Sequence, residues 1–237
     1  MKKVKFFTDQ ETLLEFPELY PQPARNFIPE WYKDMPINDD DETKAQDAPT
    51  IISSHRTIKT CPSFMEIFNE GFVEVSPCDV WLRYRPDGTW AWKTANDSFN
   101  MEAHDFFQFV KYAPKQSNVK AVFKYVSPWY AVTPKGYSLR QVPLMYHYNE
   151  DFYVPYGVLK ADNHYTLNPQ IFITSDKQEI VIKRGQPLCY LVPYKREKFG
   201  LEIESFDTYK NKREKELKKQ AMFIGSSFRS NYHRFKD

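Results

Sequence analysis

The sequence predicts a mainly β protein built around a single β-sandwich domain, and three observations carry that expectation. The 237 residues include 17 prolines and only 7 glycines, so the turns are largely proline-built and helices are often interrupted. Between those turns, short apolar runs alternate with a period of two, the repeat of a half-buried strand. Aromatic residues make up 17% of the chain and hydrophobic residues 41%, enough strand-favouring material to fill a sizeable core.

Through Pro36 the chain carries five prolines and one short helix-like piece, Gln10 to Phe16. This predicts an extended proline-rich arm over a core, anchored by Phe27, Trp31 and Tyr32. The block Asn38-Asp39-Asp40-Asp41-Glu42 has no apolar side chain and predicts a solvated connection. It lacks the alternating ligands and turn glycine of an EF-hand loop. A helix is punctuated at Pro62 to Glu70: Pro62 suits the first helical position, Phe64, Ile67 and Phe68 share a face, and Gly71 can end it. From Val80 the period becomes two, and Arg85-Pro86-Asp87-Gly88 turns the chain into Trp90-Ala91-Trp92, a hairpin. Further strands are expected at Val119 to Val126, Tyr137 to Val142, Gln170 to Thr174, Glu179 to Lys183 and Leu188 to Val192, while residues 102–112 fit strand or helix.

The C-terminal stretch differs in kind. Phe206, Tyr209, Arg213, Leu217, Ala221 and Ile224 fall on one face at helical spacing, and residues 205–237 hold nine Lys or Arg against four Asp or Glu. The expected organisation is an arm and acidic loop over 1–49, a β-rich core over 50–204, and a basic helix and tail over 205–237.

Composition excludes several functions. A formal charge of +2 gives no overall field for nucleic acid. Neither a P-loop nor a GxGxxG turn occurs, nor a GxSxG elbow. No apolar run approaches the roughly 20 residues of a membrane helix. The opening Met1-Lys2-Lys3-Val4-Lys5 turns polar at once, so no membrane association or export is expected. Cys61, Cys78 and Cys189 are too scattered for a disulfide framework or zinc site, and the five histidines never pair at metal-ligand spacing. Tyr125, Trp129, Tyr130, Tyr146, Tyr148, Phe152, Tyr153 and Tyr156 crowd one span; they read as core or interface in preference to a base- or sugar-stacking platform, because basic residues are not interleaved.

Several segments carry a resemblance. Thr133-Pro-Lys-Gly-Tyr-Ser138, Gly157 to Tyr165 and Ile180 to Leu188, with Pro29-Glu30-Trp31, Cys61-Pro62 and Pro193 to Glu197, resemble an uncharacterised family of tailed phages and some bacteria over nearly the whole chain. That likeness implies a phage origin and a place in the host cytoplasm or the virion. The order P-x-G-Y, G-V-L-x-x-D…Y and I-x-x-G-x-P-L is also similar to the trimeric dUTPases and dCTP deaminases, which implies their β-clip fold, with Pro77-Cys78-Asp79-Val80 at their first Asp-containing strand. The catalytic candidates on that likeness are Asp79, Arg140, Asp162 and Tyr165, with Lys160 and Arg140 as ligand-binding candidates and Mg²⁺ as cofactor only if the chain is an enzyme. Gly157, Gly185 and Pro187 are structural, and so is Arg196, placed at the end of the last strand to tie loop carbonyls or a carboxylate.

The departures matter. Lys160 stands where the hairpin carboxylate of those enzymes aims a water, Arg140 is out of pattern, and Asp162 is separated from Tyr165 by two intervening residues. A lysine there repels a metal and fails as a base, so no nucleotide turnover is expected, although it can still hold a phosphate. The leading expectation is a non-enzymatic binding or assembly protein without cofactor, whose partner is another protein or a second copy. Nucleic acid remains a possible partner through the basic tail. The alternatives are a nucleotide-processing enzyme and a virion structural component.

Overall fold

The computed structural model describes residues 2–38, 56–114 and 118–203. The chain forms two units, Met1–Pro29 with Asn69–Arg196 and Glu30–Phe68 with Glu197–Asp237. These divisions differ from the sequence-based ones at 49/50 and 204/205, because the first residues pair with later strands. The predicted helix over 206–224 and nearly all of the acidic block lie outside the described residues.

In chain order the first unit contains β1 (Lys5–Phe7), β2 (Gln22–Pro23), β3 (Phe72–Val75), β4 (Val80–Tyr84), β5 (Trp90–Thr94), β6 (Asn100–Ala103) and β7 (Ala121–Val126). There follow β8 (Tyr130–Val132), β9 (Tyr137–Val142), β10 (Phe152–Tyr153), β11 (Gly157–Leu159), β12 (Gln170–Ile173), β13 (Glu179–Ile182) and β14 (Pro187–Lys195). Among its described residues the second unit holds two short helices, α1 (Glu30–Asp34) and α2 (Pro62–Ile67). The protein is thus mainly β, with antiparallel sheets that do not close into a barrel. Among the described residues, no helix is long and apolar enough to cross a membrane.

The strands pair into sheets ordered β11-β9-β14-β3-β2, β10-β12-β7-β6, β13-β4-β5 and β1-β8. Strand β14 is the hub of the largest. It pairs with β9 from Tyr190↔Val142 to Lys195↔Tyr137, and with β3 from Pro187↔Val75 to Leu191↔Phe72, with a bulge between Pro187 and Cys189. The alternation read from the sequence sets which face turns inward in β4, burying Val80 and Leu82, and in β13, burying Ile180 and Ile182, whereas β12 buries Ile171, Phe172 and Ile173 on both faces. One apolar core draws on all four sheets and also takes Leu13, Leu19 and Ala24 from the first residues of the chain.

Turn chemistry explains the β4–β5 hairpin. Gly88 adopts φ +83°, which a glycine tolerates without a Cβ clash. Arg85 N–H donates to the Thr89 carbonyl at 2.8 Å, and Asp87 Oδ1 accepts from Thr89 N–H at 2.9 Å. Gly71 answers a different need: at φ +73° its missing Cβ would lie 2.4 Å from the Leu191 carbonyl oxygen, so β14 can approach only a glycine.

Some elements differ from expectation. Gln10 to Phe16 forms a 3₁₀ turn, Glu11–Glu15, stopped by Pro17. The α2 helix ends at Ile67, earlier than Glu70. Residues 102–112 divide into the end of β6 and two 3₁₀ turns, Phe106–Gln108 and Val110–Tyr112. Of the three arm anchors, Phe27 packs on the sheet core. Trp31 and Tyr32 belong to the second unit, where Tyr32 stacks on Phe64 with ring centroids 5.1 Å apart. There Lys59 Nζ donates to the Lys33 and Met35 carbonyls at 2.6 and 2.8 Å, satisfying groups at the end of α1.

Candidate functional site

Arg196, one residue past β14, joins three segments of chain. Its Nη1 donates to the Tyr137 carbonyl, the Ser138 hydroxyl and Asp162 Oδ1, each at 2.8 Å, and Nη2 donates to Asp162 Oδ2. Asp162 sits in the turn after β11, where Gly136 N–H also donates to its Oδ2 at 2.9 Å. The side chain of Asp162 is only 5% exposed, so both its oxygens are engaged inside the clamp. The Arg196 guanidinium first, and then the Gly136 N–H, hold its carboxyl well below the usual carboxylate range.

Asp79 has a similar task at the other end of the sheet. Oδ1 accepts from Arg184 N–H at 2.8 Å and Oδ2 from Lys183 Nζ at 3.2 Å, which fixes the turn between β13 and β14. These contacts lower its pKa, the Arg184 N–H most. Gly185 takes φ +77° in that turn, and Pro187 opens β14 at the bulge. Asp79 therefore lies near the start of β14 and Asp162 near its end. At about 3.3 Å per residue, that nine-residue strand holds the two ends roughly 26 Å apart. Within one chain they do not share a site.

The remaining candidates are dispersed too. Arg140 lies on β9 with its guanidinium 4.3 Å from the centroid of the Tyr194 ring. Lys160 is exposed, and its carbonyl accepts from Asn163 and His164 in the turn that carries Asp162. Tyr165 is 51% exposed and contributes its carbonyl to Ala131 N–H. Gly157 begins β11 opposite Gln141.

A concave feature of this unit lies elsewhere, a cleft of about 400 Å³ lined by Tyr84, Trp90, Val110, Val119, Lys120 and the run Ser175-Asp176-Lys177. Its aromatic wall follows from the register of the hairpin. Tyr84 pairs with Trp90 and Leu82 with Trp92, so the apolar face that buries Leu82 continues past the core as half-exposed rings. Trp90 and Trp92 both meet Phe123 edge-on, at centroid distances of 6.1 and 5.6 Å, which fixes the wall. The opposite side is polar. Lys120 Nζ is 2.7 Å from Asp176 Oδ1, and Lys177 Nζ donates to Asp151 Oδ2 at 3.1 Å.

Sequence reasoning found neither this cleft nor two other features. Glu74 on β3 is fully buried, close enough to the unpartnered Tyr125 hydroxyl to act on it electrostatically, and burial pushes its carboxyl up to about 7. Tyr146 and Tyr148 adopt φ of 69° and 50° on either side of His147, strained conformations for bulky residues. The His147 Nε2 lies 3.2 Å from the Tyr190 hydroxyl, and burial lowers its pKa. The aromatic span itself is divided: Tyr125, Trp129 and Phe152 are buried in the core, whereas Tyr148, Tyr153 and Tyr156 are exposed. Among the described residues, no cluster of three or more His, Cys, Asp or Glu is placed to hold a metal ion. No protein-family model and no curated protein matches the sequence.

Proposed function

We propose that this chain is a non-enzymatic binding or assembly protein of the tailed-phage type, built on a β-clip-like arrangement of strands. The observation that carries the reading is the use of Asp162: its two oxygens accept three hydrogen bonds, from Arg196 and the Gly136 N–H. A carboxylate held in this way is a poor base, because both its oxygens are engaged by donors and its proton affinity is low. Asp79 is likewise spent on a turn at the far end of β14. The phage-like segments fall on the parts that build these turns: the residues leading into β9, the β11 turn, and the β13–β14 connection.

The test is incubation with each deoxynucleoside triphosphate and Mg²⁺, with products separated by ion-exchange chromatography. The expected result is no monophosphate and no deaminated base above background. Product formed well above background and lost in Asp79→Ala would overturn the reading in favour of a nucleotide-processing enzyme.

A further inference from the structure

We propose that the cleft between the β4–β5 hairpin and the β12–β13 connection binds a neutral carbohydrate, its ring stacked on Tyr84 and flanked by Trp90. This rests on the binding reading above and adds the class of ligand. The cleft volume of about 400 Å³ lies in the range of small-molecule sites, about 300–1,000 Å³.

Three properties select the ligand. The first is the wall. Tyr84 and Trp90 adjoin across the hairpin with ring centroids 5.3 Å apart and planes tilted by 53°, forming a bent wall, and Tyr84 is 45% exposed. Aromatic faces carry partial negative charge, which attracts the weakly positive axial C–H groups on one face of a pyranose. The second is the charge. The cations of the cleft are matched by anions, Lys120 by Asp176 and Lys177 by Asp151. A phosphate or nucleotide entering here would have to displace a carboxylate from a lysine it already holds, and would meet Asp176, whose side chain is 87% exposed. A polyanion site is built the other way, with cations in excess. The third is the mixture of polar groups. Lysine ammonium groups donate, the Asp176 carboxylate accepts, and the Ser175 hydroxyl does both. Vicinal sugar hydroxyls, each a donor and an acceptor, can use such a set without disturbing the ion pairs. Val110 and Val119 complete the apolar lining.

The test uses the full chain and a panel of maltotriose, cellotriose and chitotriose, with ATP and inorganic phosphate as anionic comparators. Saturation-transfer NMR and tryptophan emission are read up to millimolar concentration. At least one trisaccharide is expected to bind, with an affinity that changes little from low to high salt. Tyr84→Ala and Asp176→Ala, both at exposed side chains, are expected to weaken it at least about tenfold, a loss of about 1.4 kcal/mol, while melting temperature stays unchanged. Trp90→Ala is the less useful variant, because Trp90 packs on Phe123 and its loss can unfold the hairpin. Silence from every trisaccharide overturns the proposal, as does binding that both variants leave intact. Salt-sensitive binding of ATP or phosphate in their place overturns it in favour of an anion site. None of these failures produces a nucleotide product, so they are distinct from failure of the binding reading itself.

Discussion

Replacing Glu74 by glutamine should make the protein more stable at neutral pH, and the structure sets the size of the effect. Glu74 is fully buried on β3, opposite Cys189, and neither carboxylate oxygen reaches a partner in full hydrogen-bond geometry, although Ser127 lies close enough to moderate the shift. Desolvation raises the carboxyl from an ordinary value of 4.5 to about 7. Between those two pH values the unfolded chain has released the proton and the folded chain keeps it. The folded state then binds more protons, so its stability falls as pH rises through this window and the contribution is gone above about 7. At about 1.4 kcal/mol per tenfold change in proton affinity, the loss is about 3 kcal/mol. For a chain of this size that is roughly 6–12 °C in Tm. Glutamine is neutral in both states and nearly the same shape. Thermal melts of the two proteins should converge near pH 4.5, separate as pH rises to about 7 and stay apart by a constant margin from there to pH 8, with the variant higher. Parallel curves, or a variant less stable at pH 8, would refute the assignment of a neutral buried carboxyl.

Other outcomes follow from the turns. Gly71→Ala should destabilise far more than Gly136→Ala, because the new Cβ meets the Leu191 backbone at 2.4 Å in one case and nothing within 4 Å in the other. Both carry the cost of a positive φ, about 1 kcal/mol, and denaturant midpoints of the pair isolate the clash. On the acid side the sign reverses. Asp162 is held below the usual carboxylate range, so its contribution is present above the unfolded value of 3.8 and is lost as pH falls. In acid titration followed by near-UV circular dichroism, Asp162→Asn should lose less stability than the parent between pH 4 and pH 2.

Strands β4, β5, β7, β9, β12, β13 and β14 were legible because their signal is local, whereas the two- and three-residue strands are too short to carry one. Val80-Trp81-Leu82-Arg83-Tyr84 alternates and ends in Arg85-Pro86-Asp87-Gly88, and that fragment alone dictates a hairpin. Pairing is not local. Strand β14 lies between β3 and β9, which are distant in sequence and joined to it only by register. Phe72-Val73-Glu74-Val75 looks like a strand with one solvent-facing carboxylate, yet β14 and the core cover that side chain. The cleft is assembled from residues 84, 90, 110, 119–120 and 175–177, which no spacing rule connects. Arg196 could be read as a structural arginine because it follows a strand directly, but its partner was invisible. Asp162 lies in another turn, and a polar residue after G-V-L drew a chemical reading from its family likeness alone.

That pair is where the account is most exposed. A double-mutant cycle on Asp162→Asn and Arg196→Lys, read by thermal and denaturant unfolding, measures whether the two side chains hold the fold or are held by it. Each single change is expected to lower Tm by several degrees. The double variant should lose clearly less than the two single losses combined, since both changes break one shared clamp. Single variants as stable as the parent would contradict it, because an aspartate and an arginine placed together without structural effect would be free for chemistry.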